Sequence, residues 1–319
     1  MNRTLTCTIA ALTTALSLVG SAHGVPSRHL AETLRAPHAA ATSAQDRSCL
    51  DPASDAGARS TRANDTRGMS AAQQRAIESR TTRLLAGRTP VRAGAKQRIT
   101  VPVYVHVMTS KTGAGNVTDA RIAQQVVVLN KTYGGQDPDL PGTLDTGIRF
   151  QLAGTDRYAN STWHTDGDST TYRAKTRKGG RNALNIWLVD FDYLGIATFP
   201  WDYAGAPTID GIRVEFKSLP GGSATHYNHG ETVTHETGHW LGLYHTFQGG
   251  CASPGDEVSD TAAQASPSSG CPTGRDSCTA AGDDPIHNYM DYSYDTCYTE
   301  FTPGQLIRMD KMWTAYRAG

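Results

Sequence analysis

The sequence predicts an α+β fold: a mixed, twisted sheet backed by helices, followed by an irregular C-terminal part that is cross-linked and closed by a helix. Three observations predict it. The run Ile-Thr-Val-Pro-Val-Tyr-Val-His-Val-Met at 99–108 alternates β-branched residues with the period of two that half-buries a strand. Ile122, Val126, Leu129 and Tyr133 then repeat at helical spacing behind a Thr118-Asp119 cap. Lastly, Cys251, Cys271, Cys278 and Cys297 punctuate a Gly-, Ser-, Pro- and Asp-rich stretch with almost no periodicity, which needs an external constraint to hold a shape.

Ahead of the first strand the chain has a different character. Arg3, a mostly apolar run from Leu5 to Val19 and the small residues Gly20, Ser21 and Ala22 give residues 1–24 the pattern of a secretory signal peptide. The run is too short to span a bilayer, so a secreted, extracellular product without a membrane anchor is expected. Residues 25–95 are rich in Ala, Arg, Ser and Thr and show only a short helical pattern near Ile77 and Leu84-Leu85. Such a stretch buries little by itself and is expected to be a largely loose pro-segment. Arg80, Arg83, Arg88, Arg92 and Lys96 are its candidate sites for an activating protease. An apolar content of 38% over 319 residues, with 8% aromatic, is low for a chain folded throughout, which agrees. Thirty basic and 30 acidic residues cancel, leaving no electrostatic case for nucleic acid or an anionic membrane.

Residues 96–319 read as one folded domain. Further strands are expected at 148–158, 185–189, 196–199 and 212–216, separated by Gly, Asp and Asn turns. His106 faces away from the valines of its strand and reads as structural. His226 and His229, in a glycine-bounded loop, fit no ligand spacing with the next histidine, His235. Leu306, Met309, Met312 or Trp313, and Tyr316 follow Pro303 at helical spacing and form the closing helix.

The densest chemistry is His-Glu-Thr-Gly-His-Trp-Leu-Gly-Leu-Tyr-His at 235–245. On a helix, His235 and His239 project from one face with Glu236 beside them. Gly242 can take the positive φ that ends a helix, so the chain can return His245 to the same point. Three imidazoles and one open position suit catalytic zinc, which brings the pKa of water to about 7, and Glu236 is placed to take that proton. Two further features stay open at this level. Cys49, alone in Arg-Ser-Cys-Leu-Asp, is either a thiolate that closes the open zinc position in a latent form or an unpaired thiol. Asp256, Glu257, Asp260 and Thr261 offer hard oxygens to calcium or are a solvated acidic loop. For the clustered cysteines spacing leaves three disulfide connectivities, and the lack of a Cys-x-x-Cys pair argues against a second zinc.

Residues 235–245 match the H-E-x-x-H-x-x-G-x-x-H signature of metzincin metalloproteases, and Asn288-Tyr289-Met290-Asp291-Tyr292 supplies the Met-turn that signature requires. Around these anchors HETGHWLGLYHTFQGGC and DPIHNYMDYSYDTCYTEFTPGQ resemble the pappalysin family over most of residues 99–317. The resemblance implies a metzincin-type zincin with an upper subdomain at 96–245 and a lower one at 246–319, acting as a monomeric zinc endopeptidase on proteins or peptides. It implies the pairs Cys251 with Cys278 and Cys271 with Cys297, Met290 as a floor beneath the ligands, and an edge strand near 194–200 along the cleft. Tyr292 would face the developing oxyanion or simply be buried. Asp295 would line the S1′ pocket and favour Arg or Lys there. Relatives also bind calcium near Asp256, Asp260 and Thr261. A zinc-bearing protein that binds peptides without cutting them, and a hydrolase of small amides, are the rival readings.

Overall fold

A computed structural model of the chain describes residues 69–88, 98–135 and 143–318. The expected signal peptide, Cys49, Arg92 and Lys96 lie outside those residues. The sheet has five strands in the order β2-β1-β3-β5-β4, where β1 is Ile99–Thr109, β2 is Ile148–Ala159, β3 is Leu184–Val189, β4 is Gly195–Ala197 and β5 is Ile212–Glu215. The first four strands across this order run parallel; β4 pairs antiparallel with β5 and forms one edge. The sheet is therefore mixed.

Both faces of the sheet are covered, which explains the runs of consecutive buried residues in β1 and β3. Val101, Val103, Val105 and Val107 are buried on one side with Leu129 and Tyr133 of the backing helix Asp119–Gly134 (α2). Thr118 caps α2 by accepting from Arg121 N at 3.3 Å, and Gly135 ends it at φ +58. On the other face His106 is fully buried, lies 2.9 Å from Asn185 Oδ1 and stacks on Trp187 at 5.4 Å. Desolvation holds its pKa below the ordinary histidine value, so it remains a neutral core group.

The segment read as loose contains a docked helix. Ala71–Leu85 (α1) starts with a capping box between Ser70 and Gln73. Ile77 and Leu85, with Met69 just ahead, pack against Phe199, Trp201, Tyr244, Met312 and Tyr316. Thr81 Oγ lies 2.9 Å from the Tyr316 hydroxyl, and Glu78 pairs with Arg308 and Lys311. Its own apolar stripe is narrow; the aromatic surface it meets supplies the burial, and local composition does not report that partner. Because α1 is hydrogen-bonded helix, Arg80 and Arg83 within it are poor targets for a protease that needs extended backbone.

Beyond residue 245 the chain is mostly turns as far as the closing helix, Pro303–Met312 (α6), whose last turn continues as a π-helical turn over Trp313–Arg317. The disulfides are Cys251–Cys278 and Cys271–Cys297, the pairs the resemblance implies. Among the described residues no helix is long and apolar enough to cross a membrane.

Candidate active site

After two short helices, Ser161–His164 (α3) and Ser169–Thr176 (α4), the helix Glu231–Trp240 (α5) carries His235 and His239. Val233 and Trp240 are fully buried in the core, and the Tyr133 hydroxyl of α2 donates to Thr234 O at 3.0 Å. These contacts fix the rotation of α5, so His235 and His239 sit on the opposite side and Glu236 on the flank between, all three buried at 6–7% exposure. Gly242, at φ +98, lies just past the helix end, its N–H bonds His239 O and the N–H of Leu243 bonds Gly238 O. This paired closure is the Schellman motif, and it turns the chain back so that His245 joins the other two.

The three Nε2 atoms converge: His239 Nε2 lies 3.1 Å from that of His235 and 3.0 Å from that of His245. Hydrogen bonding does not account for the approach of His235 to His239. His235 Nδ1 is 2.7 Å from Tyr289 O and His239 Nδ1 is 2.8 Å from Leu243 O. A carbonyl only accepts, so both Nδ1 atoms donate and both neutral rings present an Nε2 lone pair to the other. Lone pairs held that close need a cation between them. Zinc, at about 2.0–2.1 Å from imidazole nitrogen, fits three such donors. The site's chemistry thus agrees with the expected metal.

Around it the close approaches are bought by glycines. A Cβ on Gly238 would collide with the sulfur of Met290, which is fully buried. Gly195, in the edge strand β4, has Glu236 in the same position: its Cβ would strike the side chain up to the carboxylate. Neither glycine is marked by the zinc signature, since x in that pattern carries no chemistry, and only the packing reveals them. The Tyr292 ring lies 4.8 Å from that of His245 and 5.7 Å from that of His235, at the edge of the site.

Asp295 is drawn to the start of α5. Its Oδ2 accepts from His229 N at 2.8 Å, and the backbone of Gly230 and Glu231 also favours its charge. Burial prevails and pushes its carboxyl up to about 7. His226 and His229 take loop roles, His226 stacking on Tyr294 at 4.1 Å. The oxygen-rich loop is brought together only in part. Thr261 Oγ donates to Asp256, whereas Asp260 accepts from Thr302 Oγ at 2.7 Å and Gly304 N at 2.8 Å, capping α6 rather than facing Asp256. Among the described residues His287 sits beside Cys271 and Cys297, but those sulfurs are bonded to each other, so the group is a cross-link.

Comparison with known proteins agrees with this geometry. Residues 191–314 match the family described as Pregnancy-associated plasma protein-A. The chain is 50% identical to an extracellular metalloprotease of Neurospora crassa over 232 residues, 70% of this chain and 78% of that protein. A Sordaria macrospora extracellular metalloprotease is 49% identical over the same shares. Among solved structures, a Tannerella forsythia promirolysin variant superposes with a TM-score of 0.66 at 30% identity, over 76% of this chain and 88% of that one. Mature mirolysin with a cleaved peptide gives 0.60 at 33% identity, over 66% of this chain and 90% of that one. The chain therefore belongs to the pappalysin family of metzincins and is a zinc metalloendopeptidase.

Proposed function

We propose that the protein is a secreted endopeptidase, made as a latent precursor, in which Glu236 is the general base and acid and a basic residue is preferred after the scissile bond. The observation that carries the catalytic assignment is the convergence of three imidazole nitrogens beside a buried carboxylate. Zinc, when bound, supplies a positive charge that acidifies water and polarises a carbonyl. His235, His239 and His245 would hold it, with their rings aimed by the carbonyls of Tyr289 and Leu243. Glu236 takes the proton of the attacking water and passes it to the leaving amine. Tyr292 donates its hydroxyl to the carbonyl oxygen as negative charge develops there. The edge strand β4 offers backbone pairing to an extended peptide, which holds varied sequences in one register. That mirolysin is recorded with a cleaved peptide supports peptides as substrates.

Glu236→Ala should keep one zinc per chain and lose about 10³–10⁴-fold in peptide hydrolysis. An active variant would remove Glu236 from its role. A zinc-loaded wild type that cuts no peptide would favour a binding protein instead.

Secretion is supported by the leader pattern of residues 1–24 and by relatives named as extracellular. Latency is supported by the solved pro-form of mirolysin. Cys49, outside the described residues, would then lend its thiolate to the metal until the leader is cut. In that case Cys49→Ala yields a precursor active without processing, and an equally silent mutant precursor excludes the switch.

A further inference from the structure

Two carbonyls, one in the last turn of α5 and one just past its end, go to arginines. Trp240 O accepts from Arg317 Nε at 2.9 Å, and Gly242 O accepts from Arg308 Nε at 2.8 Å. The second contact lies in the turn that joins His239 to His245. Arg308 is 4% exposed, and its guanidinium also lies over the Tyr244 ring, 4.8 Å from the centroid. It therefore touches residues 242 and 244, two of the five between the second and third histidines.

What holds Arg308 there comes from far away in the chain. Its Nη1 donates to Glu78 Oε1 at 2.9 Å, and Glu78 belongs to α1. Lys311, one turn along α6, binds the other carboxylate oxygen. Burial works against the charge of Glu78, and the two cations outweigh it, leaving its pKa below the ordinary value. A second strut runs between the same regions, since Gln248 Nε2 donates to Met69 O at 2.5 Å.

We propose that Arg308 is a positioning residue for the zinc-bearing turn, held in place by Glu78 of the N-terminal helix, so that docking of residues 69–88 sets how tightly His245 is presented. This rests on the reading that His235, His239 and His245 hold zinc. Arg308 touches none of the reacting atoms. It fixes a carbonyl and a ring on either side of Leu243, whose own carbonyl orients His239. If Arg308 shifts, two of the three ligands lose their support. The active enzyme accordingly needs residues 69–88, and cleavage that frees the leader leaves α1 in place.

The test compares Arg308→Gln and Glu78→Gln with Thr81→Val, all in the processed enzyme with the presence of residues 69–88 confirmed by mass spectrometry. Thr81→Val removes the hydroxyl contact to Tyr316 but leaves the Glu78–Arg308 link, and with it the docking of α1 below the melting temperature, in place. Chelator-driven zinc release is followed well below the melting temperature, together with kcat, KM and the visible spectrum of the cobalt-substituted enzyme. Supporting residues behind metal ligands typically change affinity by 10–100-fold, so release should be about 10-fold faster for Arg308→Gln and about 3-fold faster for Glu78→Gln. Both should lower kcat with little change in KM and shift the cobalt bands, while Thr81→Val lowers only the melting temperature. Release at the wild-type rate in both Gln variants overturns the proposal, as does equally fast release in Thr81→Val. If Arg308→Gln does not fold, Glu78→Gln decides. An active enzyme that lacks residues 69–88 yet holds zinc as firmly overturns it too. Wild type without zinc, or His245→Ala with full zinc, instead sinks the underlying ligand assignment.

Discussion

The metal-bearing helix and the turn-rich region after it reach order by different routes. α5 needs no cross-link: backbone hydrogen bonds, a Schellman closure at Gly242 and burial of Val233 and Trp240 fix its histidines to within a fraction of a turn. Residues 251–297 have no helix longer than one turn, and their shape comes from two disulfides and from side chains that bond backbone. Asp291 shows the style. It is fully buried, accepts from Ser268 N, Tyr292 N and Gln264, and so ties the loop to the Met-turn. The lesson is that two of the three histidines ride on regular structure, whose geometry is intrinsic, whereas the stretch that follows is irregular and its geometry must be imposed.

That contrast can be broken from the irregular side. Replacing both cysteines of either bridge by serine opens a loop of 27 or 26 residues, which should cost about 3–4 kcal/mol in the chain-entropy view. Denaturant unfolding measures it. A loss under about 1 kcal/mol would mean that the hydrogen-bond network around Asp291 holds the region unaided.

Next in size is Tyr292→Phe, which should lower kcat about 10²-fold while leaving zinc content unchanged, since a lost oxyanion donor costs roughly that much. Unchanged kcat would reduce Tyr292 to a packing role against His245 and Phe247.

The smallest effect sharpens the comparison at one residue. Asp295 ionises near 3.8 when exposed and at about 7 in the folded protein. Between those values ionisation opposes folding, so the stability that is fully present below the lower value declines as pH rises to about 7. The same ionised form is the one that would attract a basic substrate residue. The wild-type ratio of kcat/KM for Arg over Leu at P1′ should therefore rise as pH increases through about 7. In Asp295→Asn that ratio should be roughly tenfold lower and flat with pH, the scale of one tuned electrostatic contact. A pH-dependent ratio in the mutant would assign the preference elsewhere.

Much of this was legible in the sequence because it is local. The alternation of 99–108, the cap at Thr118 and the five spaced residues of 235–245 each act through neighbours a few positions away, where backbone geometry is known in advance. The ends of short strands were less so: the run at 196–199 became Gly195–Ala197, because pairing with β5 stops where the chain turns into Pro200. Residues 69–88 were the weakest, since a helix with few apolar side chains reads as loose until its partner surface is known.

By itself the sequence determined that three imidazoles and a carboxylate share one face and one turn, because spacing on a helix and a glycine at the right place leave little freedom. Tertiary structure alone decided what presses on them: Gly195 against Glu236, Gly238 against Met290, the carbonyls of Tyr289 and Leu243 behind two rings, and α1 reaching Gly242 through Arg308. These contacts join residues tens to hundreds of positions apart, and no local preference records which distant surface a side chain will meet.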